Sequence, residues 1–295
     1  MSSKNSPDYL ARYDEMADRA ANEVIAAYST SFGLATKLLA PRVRRDIRNL
    51  YAMVRIADEI VDGTADQADI TDIAAALDAY EQQVRQAPAT RFHTDPVIHA
   101  FAQTARRCAL NDEHLAGFFH SMRTDLHTST YDPASLDEYI YGSAEVIGLM
   151  CLSVFFADDR AQVSDAQYAE LEDGARALGA AFQKINFLRD YWEDSAELGR
   201  SYFPGTEQQL TTDIKDEIVA DIRHDLDRAR SVIPMLPLSA RIGVVAATNF
   251  FTELTTLVDR ATVEELTQAR ISVPRRTKAR ICAAAVVQAP RMTGE

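Results

Sequence analysis

The chain has little of what would tie it to thiolate-metal, disulfide or nucleotide chemistry. Its three cysteines, Cys108, Cys151 and Cys282, are scattered, odd in number and without a C-x-x-C spacing, which suits reduced packing thiols in a cytoplasm. His114, His120 and His127 are spaced by six and seven residues and no H-E-x-x-H occurs, so the histidines offer no zinc site. Neither a G-x-G-x-x-G nor a Walker loop is present, so neither a dinucleotide nor a nucleotide fold is supported. Positive charge is in deficit: 31 Lys and Arg against 44 Asp and Glu leave a net charge of −13, which argues against a nucleic-acid partner. The longest apolar run, Val146 to Ala157, falls short of the roughly 20 residues a spanning helix needs and reads as a buried core helix. The polar segment Met1 to Tyr9 lacks the apolar core of a signal peptide, so a cytoplasmic location is expected.

What the chain does have is helical periodicity nearly everywhere, with 47% hydrophobic residues to fill a core and no convincing alternating strand pattern. The expectation is an all-α protein, one domain over residues 1–295, with 1–10 and 288–295 flexible. Apolar stripes run through Val24 to Ala35, Ile47 to Ala57 and Leu178 to Leu188. Helix starts are expected at Asp95 before Pro96, at Ser135 with Glu138 and at Ser164 with Gln167. Loops are expected at Gly63–Ile70, Arg85–Pro96, Tyr131–Ser135, Asp158–Ser164, Glu197–Gln209 and Ile233–Ser239.

Two acidic clusters interrupt the apolar stripes. In Asp58-Glu59-Ile60-Val61-Asp62, two carboxylates four residues apart share one helix face beside a largely apolar circumference. Such a D-x-x-x-D is usually a solvated face; here the apolar surroundings, and Arg55 one turn earlier, favour a metal-and-phosphate role. In the second cluster Asn186, Asp190 and Asp194 recur at intervals of four, lining one side of a helix with oxygen ligands. Buried carboxylates are costly unless opposed rows share divalent cations, and hard oxygen ligands with phosphate oxygens suit Mg²⁺. Gln183 extends the stripe inward, and Arg189 with Glu193 reads first as an i, i+4 salt bridge.

Gly142 and Gly148 inside one helix each cost about 1 kcal/mol relative to alanine. Either close helix packing or room for a long apolar ligand would repay that. The basic residues Arg270, Arg275, Arg276, Lys278 and Arg280 read as a solvated face or as a site of peripheral membrane contact.

Taken together, the motifs resemble the squalene and phytoene synthase family of head-to-head trans-prenyltransferases. Six blocks appear in the family's order: Ser29 to Phe32, Leu50 through Asp62, Tyr141 to Gly148, Gln183 to Asp194, Gly199 to Pro204, and Arg270 to Pro274. The last block looks most like bacterial phytoene synthases. The resemblance implies an all-helical isoprenoid synthase fold with a central cavity, in which Asp58 and Asp62 face Asn186, Asp190 and Asp194 across Mg²⁺, with Mn²⁺ a candidate substitute. It implies that Tyr51, Arg55 and Arg189 serve the phosphates, that Asp125 and Tyr139 lie near them, that Arg200 and Tyr202 belong to a flap, and that Phe32 lines the tail cavity. Glu59, Glu145 and Phe250 or Phe251 depart from the family's usual residues, the last two bearing on how later carbocations are steered.

The implied reaction joins two geranylgeranyl diphosphates through a cyclopropylcarbinyl diphosphate to phytoene, without NADPH, in carotenoid biosynthesis. The nearest alternative is a farnesyl diphosphate-using presqualene diphosphate, dehydrosqualene or squalene synthase. A non-catalytic assembly or lipid-binding relative is the alternative of another class, and an elongating enzyme or terpene cyclase would more often show D-D-x-x-D. Prenyl diphosphates are the expected partners, nucleic acid is not, and contact with the inner face of a membrane is compatible with the basic C-terminal residues.

Overall fold

A computed structural model describes residues 8–191, 201–206 and 209–292. The expected helical class holds: among the described residues there is no strand, only an isolated bridge between Thr130 and Ser201. The first half contains α1 (Tyr9–Tyr28), α2 (Thr30–Thr36), α3 (Pro41–Val61), α4 (Thr64–Gln67), α5 (Ile73–Gln86), α6 (Pro96–Cys108), α7 (Asp112–Thr124), α8 (Pro133–Ile140) and α9 (Val146–Phe155). The second half contains α10 (Asp165–Arg189), α11 (Thr212–Val232), α12 (Leu238–Arg260), α13 (Val263–Leu266) and α14 (Arg275–Gln288).

The helices begin where capping chemistry allows. Asp95 accepts from the backbone N–H groups of Val97 and Ile98, and Ser164 closes a reciprocal box with Gln167, both as expected. Ser135 does not start its helix. Asp132 is the cap, Pro133 occupies the first turn where its fixed φ fits, and Ser135 is the third residue of the box. The expected loop Gly63–Ile70 contains the one-turn α4, entered through Gly63 at φ 103, a left-handed conformation that ends α3 and that glycine adopts without steric cost. Residues 87–89, 160–162 and 233–235, also expected as loops, form 3₁₀ turns. At the C-terminus Arg241 donates to the carbonyl oxygen of Met292 at 2.6 Å, and Ala289 is fully buried.

Between α8 and α9 the backbone widens into a π-helical turn, Tyr141–Glu145, so the whole passage Pro133–Phe155 is helical over 23 residues. By length and composition it could cross a membrane, but half of it is buried inside the protein. Its glycines explain the packing. A Cβ on Gly142 would lie 2.4 Å from the Gly117 carbonyl oxygen, and one on Gly148 would lie 2.3 Å from that of Ala175. Close approach of backbones accounts for both, and on α10 Gly179 answers the same constraint against the Ala144 carbonyl at 2.4 Å. Glu145 turns away from the interior into a polar cleft, where it accepts from Arg176 Nε at 2.6 Å. This carboxylate therefore points away from the cavity that the neighbouring Ala144 and Ile147 line.

Because the atom approached at position 148 is backbone, Gly148→Ala should cost about 1–3 kcal/mol through overpacking. Urea unfolding monitored by circular dichroism will measure it, and an unchanged midpoint would refute the packing account.

Candidate active site

A cavity of about 1040 Å³ runs through the helical bundle. One face of α10 forms a wall of it from end to end: Leu171, Gly174, Ala175, Leu178, Gly179, Phe182, Gln183 and Asn186 follow the spacing of a single helical stripe, and Asp190 ends it. The stripe is apolar or small at its deep end and polar at its mouth. Ile47 to Asp62 on α3, Tyr139 to Phe155 on α8 and α9, and Gly243 to Leu254 on α12 complete the enclosure.

Both acidic rows sit where a helix stops. Asp62 is the C-cap of α3, its N–H bonded to the Asp58 carbonyl at 2.8 Å, and Asp190 is the C-cap of α10, bonded to the Asn186 carbonyl at 2.9 Å. A helix C-terminus carries partial negative charge, so these two ends add their dipoles to the carboxylates and favour cations. The second row was expected to continue along one helix, yet α10 ends at Arg189. Asp194, Glu193 and Arg200 lie outside the described residues.

The structure brings Asp58, Asp62, Asn186, Asp190, Asp125, Tyr139, Tyr51, Arg55, Arg189, Gln183, Phe32 and Tyr202 to one cavity. Burial, followed by the neighbouring Asp62 charge, pushes the Asp58 carboxyl well above its ordinary value of 3.8. Arg55 stands 3.8 Å from Asp58, is ion-paired with Glu59, and lies 4.4 Å over the Tyr28 ring. Glu59 also accepts from Thr64 and so ties Arg55 to the end of α3. The Tyr139 hydroxyl donates to Asp125 at 2.8 Å, and burial raises the phenol of Tyr139 and, to a lesser extent, that of Tyr51. Tyr202 stacks on Phe187 at 3.8 Å between ring centres, beside Tyr131 and Tyr139. Phe32 stacks on Tyr51 at 5.6 Å, and Phe182 on Phe251 at 3.6 Å, so Phe251 does face the cavity.

Among the described residues no group of three or more His, Cys, Asp or Glu could hold a metal ion. Asp190 is turned to two arginines: Arg189 Nε donates to it at 2.8 Å, and Arg270 Nε lies 2.9 Å from it. The residues nevertheless suit a hard divalent cation. The Asn186 Oδ1 is buried without a hydrogen-bond partner, and Asp58 and Asp62 raise one another's cost of ionisation, a cost that a shared cation removes.

Sequence reasoning did not assign Arg270 and Lys278 to the site, although it noted both among the basic residues. Lys278 Nζ donates to Thr30 Oγ1 at 2.8 Å at the cavity mouth. Burial, with Arg189 and Arg275 nearby, lowers the Lys278 pKa. The one signal in the sequence was position: Arg270 belongs to a motif block, whereas nothing local distinguishes Lys278 from Arg275, Arg276 and Arg280, which are exposed.

A long cavity with largely apolar walls thus carries helix-end carboxylates and guanidinium groups at its mouth within an all-α fold. The squalene/phytoene synthase family model matches residues 25–277, and the chain belongs to this family of prenyltransferases. A chloroplastic phytoene synthase from Zea mays is 34% identical over 71% of this chain and 50% of its own length. The 15-cis-phytoene synthase of Synechocystis sp. is 33% identical over 73% of this chain and 66% of its own. The chain thus spans about half the length of the chloroplastic relatives it matches. Among solved structures, a dehydrosqualene synthase complexed with a ligand superposes with a TM-score of 0.77 at 19% identity, covering 94% of this chain and 98% of that one. A squalene synthase from Alicyclobacillus acidocaldarius gives 0.71 at 23%, covering 86% and 96%; these two show the fold.

The crowding of Asp58 has a thermodynamic consequence. Its raised folded-state pKa means that the stability it contributes is complete below pH 3.8 and is lost as pH rises through the folded value. Asp58→Asn should therefore raise the unfolding temperature at neutral pH in metal-free buffer by a few degrees, read by calorimetry. An unchanged or lower temperature would mean that the carboxylate is not strained.

Proposed function

We propose that the protein is a phytoene synthase that joins two geranylgeranyl diphosphates head to head through a cyclopropylcarbinyl diphosphate. The observation that carries this reading is the length of the cavity wall between the acidic mouth and the deep end. Fifteen residues of α10 separate Asn186 from Leu171, about 22 Å of helix at roughly 1.5 Å per residue. An extended carbon chain advances roughly 1.2 Å per bond, so a C20 prenyl tail reaches about 19 Å and a C15 tail about 14 Å. The C20 tail reaches the level of Gly174, within one turn of the end of the wall, whereas the C15 tail leaves about a turn and a half uncovered. The names of the relatives at 33–34% identity support the same product.

Asp58, Asp62, Asn186 and Asp190, with Asp194 by family resemblance, would hold Mg²⁺, with Mn²⁺ a candidate substitute, and a cation held there would supply charge neutralisation for a departing diphosphate. Arg55, Arg189, Arg270 and Lys278 would offer donors to the head group, and Arg189 and Arg270 would be free for phosphate if Asp190 held a cation instead. The apolar wall excludes water from the allylic cation, and the second alkene attacks it, with loss of one proton as the cyclopropane closes. Ionisation of the cyclopropyl intermediate, rearrangement and proton loss complete the sequence, with released diphosphate as the base. No hydride is required for phytoene, whereas squalene formation would need a nicotinamide. Exposed Arg275, Arg276 and Arg280 on α14, followed by half-exposed Val286 and Val287, support peripheral contact with an anionic bilayer.

Purified protein with Mg²⁺ should convert geranylgeranyl diphosphate to phytoene with no dependence on NADPH and should use farnesyl diphosphate at least about tenfold less well, because the shorter tail buries less apolar surface. Preference for farnesyl diphosphate would overturn the chain-length reading, and failure with every prenyl diphosphate would favour a binding role. Asp58→Asn and Asp190→Asn should each reduce turnover by about a hundredfold or more with helical content intact.

A further inference from the structure

We propose that Val232, seated against Gly174, is the part of the cavity floor that sets the longest tail the cavity accepts. This rests on the prenyl diphosphate reading above. Gly174 lies twelve residues from Asn186 on α10, about 18 Å below the acidic mouth. A Cβ at position 174 would lie 2.1 Å from Val232 Cγ2 and 3.2 Å from Val232 Cβ, so the valine fills the space that the glycine leaves. Both residues line the cavity.

Val232 cannot easily yield. It is the last residue of α11, and a β-branched side chain in a helix has one strongly preferred rotamer. The chain then turns through Ile233–Met235, and buried Ile233, Leu236 and Leu171 line the same end of the cavity beside it. The far end of an extended C20 tail, about 19 Å from its head, therefore arrives at Val232. A bulkier residue should shorten the accepted tail, and a smaller one should lengthen it, while the mouth is untouched.

The test uses the full chain with Mg²⁺ and unreactive thiodiphosphate analogues bearing C15, C20 and C25 prenyl tails, with dissociation constants from titration calorimetry. Val232→Phe should weaken the C20 analogue at least about tenfold and change the C15 analogue less than about twofold. Val232→Ala should tighten the C25 analogue at least about fivefold and leave the C15 analogue within about twofold. If Val232→Phe does not fold, as judged by circular dichroism, the chain-length dependence of Val232→Ala alone distinguishes a floor from its absence. Effects that are equal at all three lengths, or absent, overturn the floor and leave the prenyl diphosphate reading standing. No binding of any analogue to the wild-type chain overturns both.

Discussion

The repulsion between carboxylates gathered at one end of an apolar cavity is the constraint on which the remainder of the structure depends. Half-buried Asp58 and more exposed Asp62 stand one turn apart and destabilise one another when both are ionised. A fold tolerates this only where countercharge is at hand. Here Arg55 stands beside the first row, and Arg189 and Arg270 hold Asp190 in the second. The same guanidinium groups are chemically suited to diphosphate oxygens, which is what the proposed function asks of them.

Geometry reinforces the charge. α3 and α10 both stop at the mouth, which places two negative helix ends against the region where a cation would sit. Their termination is local chemistry: Gly63 takes a left-handed conformation directly after Asp62, and α10 gives way at Asp190. Behind the mouth, small residues let the walls approach through their backbones. Gly142, Gly148 and Gly179 act in packing, while the cavity is left by the spacing of Leu178, Phe182, Ala247 and Phe251 along facing helices. The tension between buried like charge and overall stability is the usual signature of a site retained for function.

Much of this was legible from periodicity. The stripes on α3 and α10 predicted which faces turn inward, because side chains three and four apart stack on one side of a helix whatever the tertiary context. The boundaries were less legible. Ser135 carries the residue type of a cap, but Pro133 two positions earlier can open a helix, so the start moved to Asp132. Glu145 sits within a motif yet faces a polar cleft, where Arg176, 31 positions away in sequence, donates to it.

The sequence by itself determined the helical class, the two acidic rows and the amphiphilic character of the site, since each follows from residue type at a fixed local spacing. Only the tertiary structure decided the length of the cavity, the pairing of Asp190 with Arg270 from 80 positions away, and the recruitment of Lys278 to the mouth while its basic neighbours stay in solvent. Those are relations between segments distant in sequence, and no local spacing encodes which of several similar arginines or lysines a folded chain will carry to a given place.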